Sequence, residues 1–371
     1  LNTLRLVAPV GELAAAQKMT RDAFEKRYRQ VLAKLGKARA TRKPLISDDK
    51  IVSGWNALMV RVLARASVVL DEPRYLTAAL RVQAFIDDKL GGASGELKRA
   101  YYDGAASLDA TQTDYAFSAL GALALYDVTR DKQWLAGAAR LAEKMVERFA
   151  DKAAGALFLT RTATGFTRTK EIDDSTIPSG NAAALELFAR LAQRTQDVRW
   201  RQRVLAQRAA LSGIAVAEPV SHAATLLAAD IATRGETGPR QAAAHGALHV
   251  TATRLATGNS ARVRIHLAPG WHINSLTPKQ DFLLPTKVRV DGLEREAITF
   301  PAAIERKLGF HDAPLSLYEG NVDIRIALPS GSAAGVARRM TLDLQACSDR
   351  ICLDPQVVRL LLPAAAQSPR S

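Results

Sequence analysis

The chain changes its hydrophobic period near residue 234. Before that point, apolar side chains recur every three or four residues, as in Trp55, Leu58, Met59, Val62, Leu63 and Ala66. This spacing puts them on one face of an α-helix. The same pattern predicts further helices at 73–90, 112–128, 132–149, 180–194, 198–213 and 219–233. We therefore expect an all-α region up to about residue 234.

Beyond residue 247 the apolar positions alternate with polar ones. Val263, Ile265 and Leu267 alternate with charged residues, and the segment 322–328 does the same. A period of two is typical of half-buried strands. Several short strands over about 120 residues favour a β-sandwich. The stretch between the two regions, 235–247, has Gly, Pro and small residues without a period, and it is interpreted as a linker.

A weak repeat runs through the helical region. Three segments place an aspartate shortly before an aromatic residue that opens a helix, at Tyr75, Trp134 and Trp200. Their spacings of 59 and 66 residues fit a unit of two helices and a loop, and such units stack into an array or a toroid. The segment 157–169 interrupts the repeat as a predicted β-hairpin.

Composition narrows the class of protein. The 371 residues suffice for two domains, and 48% of them are hydrophobic. No run of about 18 apolar residues is present, so no membrane span is predicted. The net charge of +14 comes from dispersed basic residues without interleaved aromatics. A solvated, Arg-rich surface explains this better than a nucleic-acid site.

Both cysteines, Cys347 and Cys352, lie in one short loop. The loop follows a predicted strand with Met340, Leu342 and Leu344 on one face. A zinc site needs about four ligands, and no nearby histidine pair supplies them, so we expect no metal. Two unrelated thiols, a structural disulfide worth roughly 2 kcal/mol, and a redox pair remain as readings. A pair this close in sequence can be oxidised and reduced without unfolding the domain.

Three stretches of the β-rich region carry a resemblance: GWHIN (270–274), LYEGNVDIRIALP (317–329) and LQACSDRICLDPQ (344–356). Residues 245–363 resemble the N-terminal periplasmic domain of DsbD, the thiol:disulfide interchange protein. The resemblance implies an immunoglobulin-like fold in which Cys347 and Cys352 pass electrons to partners through mixed disulfides. An aromatic residue of a capping loop shields the pair in that family, and Phe310 and Tyr318 are the candidates here. Asp354 departs from the family pattern and would disfavour a nearby thiolate.

Polar segments open several helices of the first region, at 42–66, 113–117 and 170–185. One interpretation is that carboxylates such as Asp48, Asp173 and Asp174 cap helix N-termini. The alternative is that the segments converge on a central pocket. Paired carboxylates with Trp and Asn would then resemble a sugar-binding or glycosidase-like site.

The same segments resemble the YyaL and spermatogenesis-associated, thioredoxin-domain-containing family over residues 20–233. That resemblance implies a thioredoxin-like domain followed by an α/α toroid similar to six-hairpin glycosidases and N-acylglucosamine epimerases. The thioredoxin domain and the first hairpins are absent here, so we expect an incomplete toroid and the C-terminal part of a longer protein. The family's motif residues correspond to Arg42, Asp48, Asp49, Lys50, Trp55, Asn56, Asp114, Tyr115, Lys170, Ser179, Gly180 and Asn181.

The sequence thus predicts a multidomain chain, all-α and then all-β. The expected parts are a toroid at 1–234, a linker at 235–247, an immunoglobulin-like sandwich at 248–365 and a disordered tail at 366–371. The predicted function is thiol:disulfide exchange with a thioredoxin-like domain or another redox protein, without a cofactor or nucleic acid. The expected location is periplasmic or otherwise extracytoplasmic. The alternatives are a carbohydrate-active or epimerase-like enzyme and a non-catalytic scaffold, and the alternative location is cytoplasmic. We expect the toroid to bind a carbohydrate-like ligand without hydrolysing it.

Overall fold

The computed structural model describes residues 5–43, 47–91, 95–163, 165–195, 197–255, 259–308, 313–329 and 337–364. The chain divides into two compact units, residues 1–49 and 50–371. The first unit contains helices α1 (Val10–Ala16) and α2 (Arg21–Ala40). The Thr20 hydroxyl accepts a hydrogen bond from the Ala23 N–H at 3.3 Å and so fixes the start of α2.

The second unit begins with paired helices. They are α3 (Ser53–Val69), α4 (Pro73–Leu90), α5 (Gln112–Thr129), α6 (Lys132–Phe149), α7 (Gly180–Arg194), α8 (Val198–Ala217) and α9 (Ala223–Arg234). Helix α5 packs against α3, α6 and α7, and α7 packs against α8 and α9. Helices α5 and α7 are buried over most of their length. This arrangement confirms that the region is mainly helical. No helix within the described ranges has the length and apolar character that a bilayer crossing requires.

The repeated aspartates explain where two of these helices begin. Asp131 accepts a hydrogen bond from the Gln133 N–H at 3.0 Å, and Asp197 accepts one from the Arg199 N–H at 2.9 Å. Both aspartates are therefore N-caps. The aromatic residue that follows each cap packs inward, and the ring of Trp200 stacks on Phe188 at 6.0 Å between centroids. Each of these two repeats thus combines an aspartate that caps a helix with an aromatic residue that packs in the core.

A small sheet lies among the helices in the order β1 (Ile51–Val52), β2 (Lys98–Tyr102), β3 (Ala105–Asp109). Strands β2 and β3 form a hairpin that turns at Asp103 and Gly104, whose φ values are 48° and 81°. An Asp-Gly pair tolerates this left-handed geometry, so the turn has a local signal in the sequence. The hairpin predicted at 157–169 is wrong, since no strand occurs among its described residues. There the Leu159 N–H bonds the Thr169 carbonyl at 2.7 Å and the Arg168 guanidinium bonds the Thr160 carbonyl at 2.8 Å, without a regular strand ladder.

The rest of the second unit is β-rich, as predicted. Its strands are β4 (Thr237–Gly238), β5 (Arg240–Ala243), β6 (Leu248–Arg254), β7 (Ser260–Leu267), β8 (Trp271–Asn274), β9 (Lys287–Val290), β10 (Ile298–Thr299), β11 (Ile304–Arg306), β12 (Leu315–Glu319), β13 (Asn321–Ala327), β14 (Arg338–Leu344), β15 (Ala346–Ser348) and β16 (Gln356–Leu362). They form sheets with the orders β10–β13–β7–β6–β5, β11–β12–β8–β15 and β4–β16–β14–β9. The alternating residues of β7, β13 and β14 are buried in a common core, as their period predicts.

The segment predicted as a linker, 235–247, carries strands β4 and β5 and is tied to the helices. The Glu236 carboxylate bonds the guanidinium groups of Arg190 at 2.5 Å and Arg194 at 2.7 Å, both on α7. Arg359 of β16 bonds Asp230 of α9 at 2.8 Å. Helices and sheets of residues 50–371 therefore share one compact unit. The domain boundary at 235–247 stays a prediction.

Candidate functional site

Cys347 and Cys352 form a disulfide with an S–S distance of 2.01 Å. A tight turn brings them together, because the Ser348 N–H bonds the Ile351 carbonyl at 2.8 Å and the Leu353 N–H bonds the Ala346 carbonyl at 2.9 Å. The two cysteines then lie directly opposite each other, with their Cα atoms 4.0 Å apart. The hydrogen-bonded backbone of the loop thus holds the two cysteines close enough to form the disulfide.

The two cysteines differ in their access to solvent. Cys347 is 1% exposed and lies on the edge strand β15, directly opposite His272 of β8. Cys352 is exposed, and its neighbour Ile351 is 56% exposed. Disulfide exchange requires a thiolate to reach one sulfur of the bond. A thiolate that approaches from solvent therefore meets Cys352 first, and Cys347 is the sulfur that would leave.

Cys347 belongs to a row of residues that crosses three strands. Strand β8 lies between β12 and β15, and His272 on β8 is in register with Glu319 on one side and Cys347 on the other. Residues directly opposite on antiparallel strands share a face, with Cβ atoms roughly 4.5–5.5 Å apart. Arg306 of β11 lies opposite Leu315, and its guanidinium pairs with the Glu319 carboxylate at the end of the row. A carboxylate, an imidazole and a cysteine thus lie side by side.

Leucine side chains cover this face of the sheet. Leu315 and Leu317 of β12 cluster with Leu283 and Leu308 from the adjoining loops. The Asn274 amide donates a hydrogen bond to the Leu284 carbonyl at 2.9 Å and so ties the loop after β8 to the sheet. His272 is left only 2% exposed. The middle of the row, His272 and Cys347, is therefore buried, while both ends meet solvent. Cys352 is exposed at one end, and the Glu319 and Arg306 side chains are 27% and 47% exposed at the other.

The environment of His272 favours the neutral imidazole in the oxidised protein. Burial lowers the pKa of His272, and the nearby Arg306 guanidinium lowers it further. The carboxylates of Glu319 and Asp349 act in the opposite direction and raise it. The net pKa lies below the ordinary histidine value. A new negative charge beside the ring would reverse this balance.

The candidates for the capping aromatic have different outcomes. Phe310 lies outside the described residues. Tyr318 lies within β12, is 5% exposed and stacks on Phe300 at 6.2 Å between centroids. It is in register with Ile273, so its ring faces the main core and not the face that carries Cys347. Its role as a cap stays a prediction. Asp354 is exposed beside the cysteine loop.

In the helical part, the predicted pocket residue Asp114 is fixed by its neighbours. Its carboxylate accepts hydrogen bonds from the Thr111 N–H at 2.9 Å and from Arg99 at 2.8 Å. With Thr111 it forms a capping box at the start of α5. A Cβ atom on Gly54 would lie 2.7 Å from an Asp114 carboxylate oxygen, so the first turns of α3 and α5 touch here.

The Pro-Ser-Gly-Asn segment opens α7 against α5. Ser179 accepts a hydrogen bond from the Ala182 N–H at 3.2 Å, as an N-cap does. Gly180 lies against the Gln112 and Thr113 side chains of α5. The Asn181 amide bonds both the N–H and the carbonyl of Leu157, at 2.8 and 2.9 Å. All three residues are buried and hold the backbone in place.

The other motif residues of the second unit lie around these helices. Trp55 is 60% exposed, and the Asn56 amide bonds the Val52 carbonyl at 2.9 Å. The Tyr115 hydroxyl accepts a hydrogen bond from the Leu97 N–H at 3.1 Å. Lys170 pairs with Asp151 at 2.7 Å. Lys50 is exposed just before β1.

Arg42, Asp48 and Asp49 belong to the first unit, where all three are exposed. Asp49 accepts a hydrogen bond from the Ser47 hydroxyl at 2.6 Å. The structure thus joins the starts of α3, α5 and α7 through Gly54, Asp114 and Gly180. A pocket that gathers the whole motif set stays a prediction.

Sequence reasoning missed His272 and Glu319 beside the cysteines. Their alternation predicts strands but not which strands pair, and the row exists only because β8 lies between β12 and β15. It also missed Arg99 and Glu171, which bond Asp114 and Thr113 at 2.8 and 2.6 Å. Within the described part of the chain, no group of three or more His, Cys, Asp or Glu residues is arranged to hold a metal ion.

Residues 241–363 match the family model "Thiol:disulfide interchange protein DsbD, N-terminal". Curated relatives include spermatogenesis-associated protein 20 of Rattus norvegicus, 31% identical, and of Homo sapiens, 30% identical, each over 181 residues. These matches cover 46% of this chain and 23% of each relative. The chain therefore spans less than a quarter of the length of these relatives.

Three solved structures are each similar to part of the chain. The reduced N-terminal domain of Neisseria meningitidis DsbD is 14% identical, with 32% of this chain and 86% of that chain covered and a TM-score of 0.24. Cellobiose 2-epimerase of Spirochaeta thermophila is 16% identical, with 43% and 42% covered and a TM-score of 0.35. A GH76 α-mannanase of Bacteroides thetaiotaomicron is 18% identical, with 46% and 45% covered and a TM-score of 0.36. The chain is thus similar to spermatogenesis-associated protein 20 over part of its length and matches the N-terminal DsbD model at its C-terminal end.

Proposed function

We propose that this protein exchanges disulfides with a partner protein through Cys347 and Cys352, on an immunoglobulin-like sandwich that follows an α/α toroid. The observation that carries the proposal is the asymmetry of the bond, with Cys352 exposed and Cys347 buried at 1% exposure. The match of residues 241–363 to the N-terminal DsbD model supports it. A purely structural disulfide needs no exposed sulfur.

The exchange proceeds in two steps. A partner thiolate attacks the Cys352 sulfur, a partner–Cys352 bond forms, and the electron pair of the broken bond leaves on Cys347. The partner's second thiol then attacks its own sulfur in the mixed disulfide and releases Cys352. The partner is oxidised to a disulfide, the pair is reduced by two electrons, and the two cysteines take up protons. The reverse sequence oxidises the pair.

A redox titration tests this function. The full chain is equilibrated in glutathione or dithiothreitol buffers of graded potential, and free thiols are counted by alkylation. We expect the pair to open and close reversibly while the far-ultraviolet circular dichroism stays unchanged. Stoichiometric zinc in the reduced protein, or failure to interconvert while folded, contradicts the proposal.

We infer that the partner is a thioredoxin-like domain or another dithiol protein. Cys347→Ser leaves the exposed Cys352 thiol, which should trap such a dithiol protein as a mixed disulfide. The matched variant Cys352→Ser leaves only the buried thiol and should react with a disulfide reagent about tenfold more slowly. Equal reactivity of the two variants contradicts the assignment of Cys352 as the attacked sulfur.

We infer an extracytoplasmic location, since an accessible disulfide persists in oxidising compartments and is rare in the cytosol. Fractionation of the native host, with the thiols alkylated before lysis, tests this. Recovery of the protein in the cytosolic fraction with both thiols reduced overturns it.

As a second function, we propose that the helical part binds a carbohydrate-like ligand without hydrolysing it. The observation in favour is Trp55, an indole 60% exposed at the start of α3, next to the contact between Gly54 and Asp114. Ligand sites are commonly lined by aromatic side chains, and an exposed indole offers a face on which a sugar ring can stack. A binding and turnover screen with aryl glycosides and amino sugars tests it, with Trp55→Ala as the variant and the exposed Phe166→Ala as control. Turnover that Asp49→Asn abolishes would make this the primary function.

A further inference from the structure

His272 has a chemical role that the disulfide alone does not assign. It lies directly across the strand from Cys347, and Glu319 lies directly across from it on the other side. His272 is 2% exposed and lies on the face of the sheet that also carries Leu315 and Leu317. Burial of a histidine in such a place is costly unless the ring has a polar partner. The residue opposite His272 on β15 is Cys347, whose sulfur would be the leaving group in disulfide exchange.

Opening the disulfide creates a charge in this buried place. When a partner thiolate attacks Cys352, the electron pair leaves on the Cys347 sulfur, which is 1% exposed. A thiolate in an apolar site is strongly disfavoured, and this raises the barrier to exchange. The leaving sulfur therefore needs a cationic or hydrogen-bonding group within reach. Along the row that crosses β12, β8 and β15, the side chain adjacent to it is His272.

We propose that His272 stabilises the thiolate that Cys347 becomes when the disulfide opens, first as an N–H donor and then as an imidazolium. This inference rests on the proposed thiol exchange. The proton can come from solvent or from the partner's second thiol, and the sulfur–sulfur electron pair ends on Cys347. The pair Cys347 thiolate and His272 imidazolium is net neutral, so it replaces one buried charge by an ion pair. Glu319 then supports the imidazolium from the opposite strand.

The charged groups around His272 are consistent with this role. Glu319 on β12 and Asp349 in the cysteine loop both raise its pKa, whereas Arg306 on β11 lowers it. In the oxidised protein, burial dominates, and the pKa lies below the ordinary value. The new thiolate adds a negative charge on the residue directly opposite His272 and shifts the pKa of His272 upward. His272 thus takes up its proton in step with reduction of the bond.

The test isolates Cys347 as a single thiol. In the Cys352→Ala chain, the thiol pKa is measured from the ultraviolet absorbance of the thiolate across a pH series, with His272 present or replaced by Gln. We expect His272→Gln to raise the thiol pKa by about one unit, a tenfold loss of thiolate at a given pH. His272→Phe should raise the thiol pKa of Cys347 by at least the same amount. Identical titrations in the three proteins overturn the proposal.

A second measurement uses the intact disulfide. The rate of reduction by dithiothreitol is followed across pH for the wild type, His272→Gln and the control His266→Gln, an exposed histidine on β7. We expect His272→Gln to slow reduction about tenfold and to shift the redox equilibrium by up to about tenfold, or about 30 mV. The control should match the wild type. A thermal unfolding curve for each variant separates a chemical effect from misfolding.

The outcomes distinguish this inference from the function on which it rests. If the wild-type pair fails to interconvert while folded, the proposed exchange fails, whatever His272 does to the Cys347 pKa. If the pair interconverts and His272→Gln has the wild-type rate and pH profile, the exchange stands and the role of His272 is overturned.

Discussion

At the scale of single residues, Gly180 shows what the Pro-Ser-Gly-Asn segment does. It is the first residue of α7, and the Gln112 amide of α5 donates a hydrogen bond to its carbonyl at 2.8 Å. A Cβ atom there would collide with the Gln112 and Thr113 side chains. Glycine thus lets the first turns of two buried helices approach each other.

Replacement of Gly180 by alanine should therefore destabilise the protein. We expect a loss of about 1–3 kcal/mol in the free energy of unfolding, since overpacking forces buried side chains off their rotamers. Chemical denaturation measures this. The matched control is Gly213→Ala on α8, where nothing lies within 4 Å of the added Cβ. That change should be neutral or stabilise by up to about 1 kcal/mol. Equal effects at the two sites would contradict the close approach at Gly180.

The cysteine pair belongs to the same scale. The sequence identified both cysteines and left open whether they form a staple or a redox pair. It could not predict which cysteine is exposed, because Cys347 is buried where β15 pairs with β8, a strand far away in sequence. The alternation of apolar and polar residues predicts that a segment is a strand. It does not predict which strands pair with it, because that pairing depends on residues far apart in sequence.

At the scale of elements, the helices were predicted closely because their signals are local. Predicted bounds such as 73–90 and 132–149 coincide with α4 and α6. Asp131 and Asp197 carry their signal in the sequence, since a capping aspartate satisfies the N–H groups of the next turn. The hairpin of β2 and β3 also has a local signal, at Asp103 and Gly104, and it was missed.

Other elements could not be predicted in this way. The segment 235–247 has no period of its own, yet it becomes β4 and β5 because these short strands pair with β16 and β6. Residues 157–169 look like a hairpin, but Leu157 bonds Asn181 of α7. Tertiary partners override weak local preference in both cases.

The helix caps offer a test at this scale. Asp131→Ala removes the acceptor for the Gln133 N–H at the start of α6. We expect a loss of about 1 kcal/mol in the free energy of unfolding, because an N–H group at the helix start loses its partner. Asp131→Asn should retain most of that stability, since an amide oxygen also caps. A loss as large for Lys132→Ala, which changes the next residue without removing a cap, would contradict the capping account.

At the scale of the whole molecule, Glu236 joins the helices to the sheets. Burial alone would raise the pKa of this carboxyl, but the guanidinium groups of Arg190 and Arg194 outweigh it and lower the pKa to about 2. The ordinary value is 4.5. A carboxyl whose pKa falls on folding stabilises the native state above its unfolded pKa. That stability is lost as pH falls through the folded pKa.

Glu236→Gln should therefore cost the most at neutral pH. We expect a loss of about 3–5 kcal/mol in the free energy of unfolding there, because two buried arginines lose a charged partner. The difference from the wild type should shrink as the pH falls from 4.5 towards about 2. Denaturation curves at several pH values measure this. The exposed Glu296→Gln is the control. If the difference in the free energy of unfolding between Glu236→Gln and the wild type does not change with pH, the account is contradicted.

The same contacts decide how the cysteine loop can be presented to another molecule. A flexible tether would let the loop sweep a volume, and its effective concentration at a docked target would depend on tether length. Here the chain between α9 and β6 is pinned by Glu236, by Arg359 and by the backbone fit of Gly246 against the Arg194 carbonyl. These contacts hold β16, the strand that follows the cysteine loop, against the helices. A target that docks on the helical face is therefore either aligned with Cys352 from the outset or out of its reach.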